Sequence, residues 1–221
     1  MDPMLAVVQI AVILFAISFH ESAHAWTALK FGDPTARDLG RISLNPLRHI
    51  DPFGTVLLPI IMILMKQPPF GYAKPTPINL RNTRNPRLAN FWISAAGPFA
   101  NFLVVLGAAA VLIAAARIAP NALAHAARGG TLEPVVVILE KTIVINIVLG
   151  IFNLIPVPPM DGSGILFSAL GRRGLAIEMF FHRYSFVMFI VIMLLVYSGA
   201  FSLVLGPAVR AVLSLIQAAA G

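Results

Sequence analysis

Residues 3–29 read PMLAVVQIAVILFAISFHESAHAWTAL, an apolar run interrupted by one charged side chain, Glu21. A helix rising ~1.5 Å per residue over this run is long enough to cross a hydrocarbon core of ~30 Å. Residues 88–116, 142–160 and 184–209 contain no charged side chain at all. Each predicts a further span, the third borrowing a few residues before Thr142. Composition agrees, because 58% of the 221 residues are hydrophobic, 11% are charged and the mean hydropathy is +0.87. A soluble globule could not hide that much apolar surface. The expected fold is an all-α polytopic membrane protein with about 4–6 transmembrane helices. It is read as one membrane-embedded domain over 1–221, with a core at 4–170 and C-terminal helices at 175–221.

The chain has no cysteine, which excludes disulfide frameworks, thiolate zinc sites and cysteine nucleophiles. Sixteen Lys and Arg against nine Asp and Glu give a net charge of +7. Basic membrane loops explain that excess better than nucleic acid, so the lipid bilayer is the expected partner and nucleic acid is not. No basic region precedes the apolar start at Met4 and no A-x-A site follows it, so no cleavable signal is expected.

Phe53–Met65 is apolar but short, and it carries Gly54 and Pro59. That suits a re-entrant or interfacial segment rather than a crossing. The surrounding segment, 30–90, holds nine of the sixteen basic residues, whereas 117–133 holds only Arg117 and Arg128. The positive-inside rule therefore places 31–90 and the loop of Arg172, Arg173 and Arg183 on the cytoplasmic side of a multi-pass cell-membrane protein. Asp38–Pro46 and Phe70–Leu80 alternate or are proline-extended, so a β-containing loop is expected there. The stretch after Leu205, broken at Gly206–Pro207, is either interfacial or a further crossing.

Within the first span lies His20-Glu21-Ser22-Ala23-His24. Histidines at i and i+4 stack on one helical face and can reach one metal ion, and the glutamate between them can take a proton from water at that metal. A buried polar cluster is the plainer reading, but a charge inside a span costs ~2.5 kcal/mol or more and usually marks function. A catalytic zinc takes three protein ligands and keeps one position open. Asp2, Asp33, Asp38 and Asp51 fall in tails or solvated loops; Glu133 and Glu140 fall near the outer end of a span. Glu178 and His182 sit among arginines. Asp161 ends an apolar run through Pro156, Pro158 and Pro159, and Gly162 permits a sharp turn that can point its carboxylate inward. Asp161 could also cap the following helix. His20, His24 and Asp161 come to one depth only if 53–65 does not cross.

The chain resembles the site-2 proteases, intramembrane zinc metalloproteases, through FHESAHA at 19–25, AAGPFAN at 95–101 and NLIPVPPMDG at 153–162. IDPFGT at 50–55 and AKPTPIN at 73–79 resemble the compact bacterial branch, and connector 117–133 has no room for a PDZ module. The resemblance implies one Zn²⁺ per chain on His20, His24 and Asp161, with Glu21 as base and proton shuttle. It also implies substrate-binding or steadying roles for Asn153 and Asn101, and transmembrane proteins or peptides as substrates. From the residues alone, Asn101, Asn146 and Asn153 could equally serve helix packing or repair freed carbonyls. The rival class is a divalent-cation transporter or channel using the same His and Asp residues, although such proteins more often show paired repeats and several mid-span acids.

Overall fold

The computed structural model of the chain describes residues 3–57, 61, 62, 64, 73–126 and 129–220. Its helices are α1 (Pro3–Lys30), α2 (Thr35–Asp38), α3 (Pro86–Ile118), α4 (Pro120–Ala126) and α5 (Glu133–Asn153). They continue as α6 (Asp161–Leu170), α7 (Leu175–Arg183), α8 (Ser185–Tyr197) and α9 (Ala200–Ala220). Among the described residues, four helices are long and apolar enough to span: Val7–Lys30 of α1, α3, α5, and Ala200–Ala219 of α9. The protein is an all-α, multi-pass membrane protein.

Packing follows bilayer logic. The buried side of the bundle is built from small residues, including Ala16, Ala25, Ala28, Ala89 and Ala100, while Leu106 and Leu203 point outward. Lipid is as apolar as leucine, so close backbone approach rather than apolar burial holds the helices together. At Gly150 of α5 a Cβ would stand 3.0 Å from the Phe102 ring of α3. Helix α3 is the central element and touches α1, α5, α6 and α9. It begins sharply because the Asn85 side chain accepts from the Leu88 amide at 3.1 Å and Pro86 occupies the first turn, where no amide is needed. Trp26 near the end of α1 and Trp92 near the start of α3 are both half-exposed, as aromatic residues at one membrane interface are.

Between these helices the chain leaves and returns. The Lys74 amide donates to the His49 carbonyl at 2.9 Å. The described flanks of this stretch, His49 and Lys74, thus lie side by side. Pro52–Leu57 forms a wide helical turn, with Asp51 accepting from the Phe53 and Gly54 amides at 3.0 and 2.7 Å. Residues 58–60, 63 and 65 of the Phe53–Met65 segment lie outside the described residues.

Two expectations need correction. No strand forms among the described residues of 38–46 or 73–80. Residues 73–79 are extended, but Pro75 and Pro77 have no amide to give a ladder, so side chains and one carbonyl hold the segment instead. Phe70–Tyr72 lie outside the described residues. The run 184–209 is not one helix either. It breaks at Gly199, whose φ of +78° suits glycine, and Pro207 sits inside α9.

The last span then has a definite direction. The Phe201 ring lies 5.6 Å from that of Phe152, at the end of α5, and Arg117, at the end of α3, donates to the Ala219 carbonyl at 2.6 and 2.9 Å. Helix α9 therefore runs parallel to α3, and Ile216 joins Val105, Ala108, Ala109, Ile143 and Ile147 in a shared core. The chain leaves α5 and enters α9 on the same face, so α6, α7 and α8 do not add a net crossing. The bend of 76° between Asp161–Phe181 and Ser185–Val196 fits a re-entrant pair.

Candidate active site

The HExxH turn lies in the packed half of α1, with His20 and His24 both buried. Their rings meet edge to face, with centroids 4.6 Å apart, and their Nε2 atoms are 3.0 Å apart. Asp161 Oδ2 stands 3.1 Å from His20 Nε2 and 3.4 Å from His24 Nε2. Asp161 reaches this point because the chain turns tightly after α5. The Ile155 amide donates to Phe152, Val157 to Ile155, and Met160 to Val157. Gly162 completes the turn: a Cβ there would meet the Ile155 carbonyl oxygen at 2.5 Å and the Leu154 carbonyl more closely still. The capping alternative for Asp161 is corrected. Met160 occupies the cap position of α6 and Asp161 is the first helical residue, its carboxylate turned to the histidines. A helix N-terminus suits a carboxylate.

Helix α6 is held to α3 at its far end as well. Arg87 donates to the Ser168 and Ala169 carbonyls at 2.5 and 2.7 Å, and Asn90 to Gly164 and the Ser168 hydroxyl at 3.3 and 2.9 Å.

The donor set fits a metal. His24 Nδ1 lies 2.6 Å from the Ile93 carbonyl, which only accepts, so that nitrogen carries the hydrogen and Nε2 presents its lone pair to the cluster. Asp161 Oδ2 is buried and makes no hydrogen bond among the described residues. The His24 lone pair and the Asp161 carboxylate oxygen thus converge on one point with His20 Nε2, 3.0–3.4 Å from one another, a set that a cation between them would satisfy. A tetrahedral centre with bonds of ~2.0–2.1 Å separates its ligand atoms by ~3.3–3.4 Å, close to the spacings seen. Gly97 of α3 forms the wall: a Cβ there would stand 2.5 and 2.6 Å from His20 Cε1 and Nε2, and closer still to His24 Nε2.

Glu21 points to a different neighbour. Its Oε2 accepts from the Thr76 amide at 2.9 Å and from the Thr76 hydroxyl at 2.6 Å. The 73–79 segment that brings Thr76 here is tied at both ends. Arg41, itself buried, donates to the Lys74 and Arg48 carbonyls, and Asp33 accepts from the Asn79 amide at 2.7 Å. Asp33 is therefore not the solvated loop residue expected but a fully buried anchor, also bonded by Thr35 and Asn82. Burial alone would raise its pKa. The hydrogen bonds from Thr35, Asn79 and Asn82 outweigh it and hold the carboxyl below the usual carboxylate range.

The asparagines divide. Asn101, one turn beyond Gly97 on the same face of α3, is fully buried, and neither polar atom of its side chain has a partner among the described residues. Asn153 donates to the carbonyl of Leu149 in its own helix at 2.9 Å, and Asn146 likewise to Thr142 at 2.8 Å. Neither Asn101 nor Asn153 bonds His20, Glu21, His24 or Asp161 among the described residues. Sequence reasoning missed Thr76 and Gly97. The signals were the two prolines flanking Thr76 and the glycine placed four residues before Asn101.

Two histidines and a carboxylate, gathered among apolar helices beside a glutamate, define the metallohydrolase class of site. The chain belongs to peptidase family M50, whose family model matches residues 8–196. It is 37% identical to "Putative zinc metalloprotease YwhC" of Bacillus subtilis (strain 168), over 85% of this chain and 81% of that protein. Two proteins called Rip2, with the same description, are also similar. The one from Mycolicibacterium smegmatis is 29% identical and the one from Mycobacterium tuberculosis (strain H37Rv) 27%, each over 72% of this chain. The match covers 56% of the length of either Rip2 protein. No solved structure matches the chain.

Proposed function

We propose that this protein is a zinc-dependent endopeptidase that cuts transmembrane segments of membrane-anchored proteins inside the bilayer. The observation that carries this reading is the convergence of His20, His24 and Asp161 within hydrogen-bonding distance of one another inside the helix bundle. These three hold one zinc ion, which when bound polarises the scissile carbonyl and acidifies water. Glu21 accepts the proton on its carboxylate and returns it to the leaving nitrogen. Asn101 offers the site two unspent polar groups, and Asn153 steadies the end of α5 where the chain turns toward Asp161.

A transmembrane helix hides its peptide bonds, so the substrate must be held extended. A groove of about 360 Å³ runs beside α1, lined by Phe19, Ala23 and Trp26 on one side and Ile42 and Leu44 on the other. Ser43 is tied to the Ser22 hydroxyl through both its amide and its carbonyl. The backbone groups of Ile42 and Leu44 have no such partner among the described residues. This short open edge supports substrate binding by main-chain pairing.

The experiment is cleavage of a single-span substrate in liposomes, with zinc flux measured in parallel. Cleavage is the expected result; flux without cleavage across a fair panel of substrates would assign the site to a transporter. The basic residues of 30–90 support a zinc site that faces the cytoplasm. Single cysteines at the exposed positions Arg84 and Ile118 should be labelled from opposite sides, Arg84 from the cytoplasm. The reverse labelling would invert that placement.

A further inference from the structure

We infer that Thr76 is a positioning residue for Glu21, fixing the orientation of the base through its amide and its hydroxyl. The inference rests on the peptidase reading above. Thr76 lies between Pro75 and Pro77, so its amide is the only one over 75–77. Each proline also restricts the residue before it to extended backbone, which sets Lys74 and Thr76 in the conformation that presents this amide sideways. Both Thr76 donors go to one oxygen, Oε2, and the hydroxyl also lies 3.1 Å from the Glu21 carbonyl. Among the described residues nothing else bonds the carboxylate, so Oε1 is left for the proton.

Merely securing the loop does not explain this arrangement. The 73–79 segment is already tied at Lys74 by Arg41 and the His49 carbonyl, and at Asn79 by Asp33. The Thr76 bonds add little to that anchoring. What they alone determine is the rotamer of a side chain with three free torsions, in a site where a misplaced base costs rate rather than stability.

The test uses the full-length protein. Thr76→Val keeps the amide and the shape but loses the hydroxyl, and kcat should fall about tenfold, as loss of one hydrogen bond to a charged group allows. KM and zinc content should stay within about twofold of wild type, and Thr76→Ser should recover kcat to within about threefold. A Val variant with wild-type kcat, or a Ser variant as slow as Val, overturns the inference. Residue-resolved hydrogen exchange supplies a readout independent of activity. Glu21→Ala removes the acceptor, so the Thr76 amide should exchange at least about tenfold faster while those of Lys74 and Asn79 stay protected. Unchanged exchange at Thr76 overturns the inference too. If wild type cuts no substrate, the peptidase reading has failed, and the exchange measurement still decides whether the latch exists.

Discussion

Glu21→Gln should abolish measurable cleavage of a single-span substrate while leaving zinc content and stability at wild-type values. The two side chains have the same shape, and the glutamine oxygen can still accept the Thr76 amide and hydroxyl that hold Oε2. What is lost is the capacity to take up and return a proton. Removal of a general base typically costs about 10²–10⁴ in rate, enough to put turnover below most assays. Because the groove along Phe19, Trp26 and Leu44 is untouched, uncut substrate should co-purify with the variant. Cleavage at the wild-type rate by Glu21→Gln would sink the mechanism. Loss of zinc along with activity would instead make Glu21 a ligand, which its turn toward Thr76 argues against.

Much of this site is legible in the sequence because helical periodicity is rigid. Once α1 is known to be a span, His20 and His24 must share a face, and a single acidic group within that span, Glu21, must be costly unless used. Asp161 is legible for a related reason: three prolines and a glycine after an apolar run force a turn whose direction is constrained by the helix before it. The loop between α1 and α3 is harder because its order comes from single long-range contacts rather than repeats. Asp33 reads as a solvated carboxylate until Asn79, forty-six residues on, closes over it. Pro75 and Pro77 suggest extension, yet extension alone reads as a strand. Only the positions of Arg41, Glu21 and Asp33 show that side chains, with the His49 carbonyl, replace the ladder. The C-terminal break sits at Gly199 rather than Gly206–Pro207, because proline within a membrane helix is tolerated where neighbouring groups compensate, whereas the positive φ at residue 199 cannot continue a helix.

Gly97→Ala should strip the protein of zinc and activity as thoroughly as His20→Ala or Asp161→Ala, although it removes no candidate ligand. The added Cβ would stand 2.5 and 2.6 Å from His20 Cε1 and Nε2, and it would press on His24 Nε2 as well. Such separations are well inside contact distance, so something must move. The histidines cannot swing aside freely: His24 is pinned by the Ile93 carbonyl of the same helix α3, and both rings are buried. Nor can α3 retreat, because Arg87 and Asn90 tie it to α6 and Gly150 lies against its Phe102. The strain must therefore fall on the metal-binding atoms themselves. Gly107, ten residues further along α3, is the internal control, since a Cβ there meets nothing within 4 Å. Gly107→Ala should retain zinc and full activity and should even gain about 0.5–1 kcal/mol of helix stability. Metal analysis of the two purified variants beside His20→Ala separates the outcomes. A Gly97→Ala protein that keeps its zinc would mean that α3 does not wall the site at this distance. A Gly107→Ala protein that loses zinc would mean that α3 responds to an added methyl group well away from the site, and Gly97 would then have no special claim on the histidines.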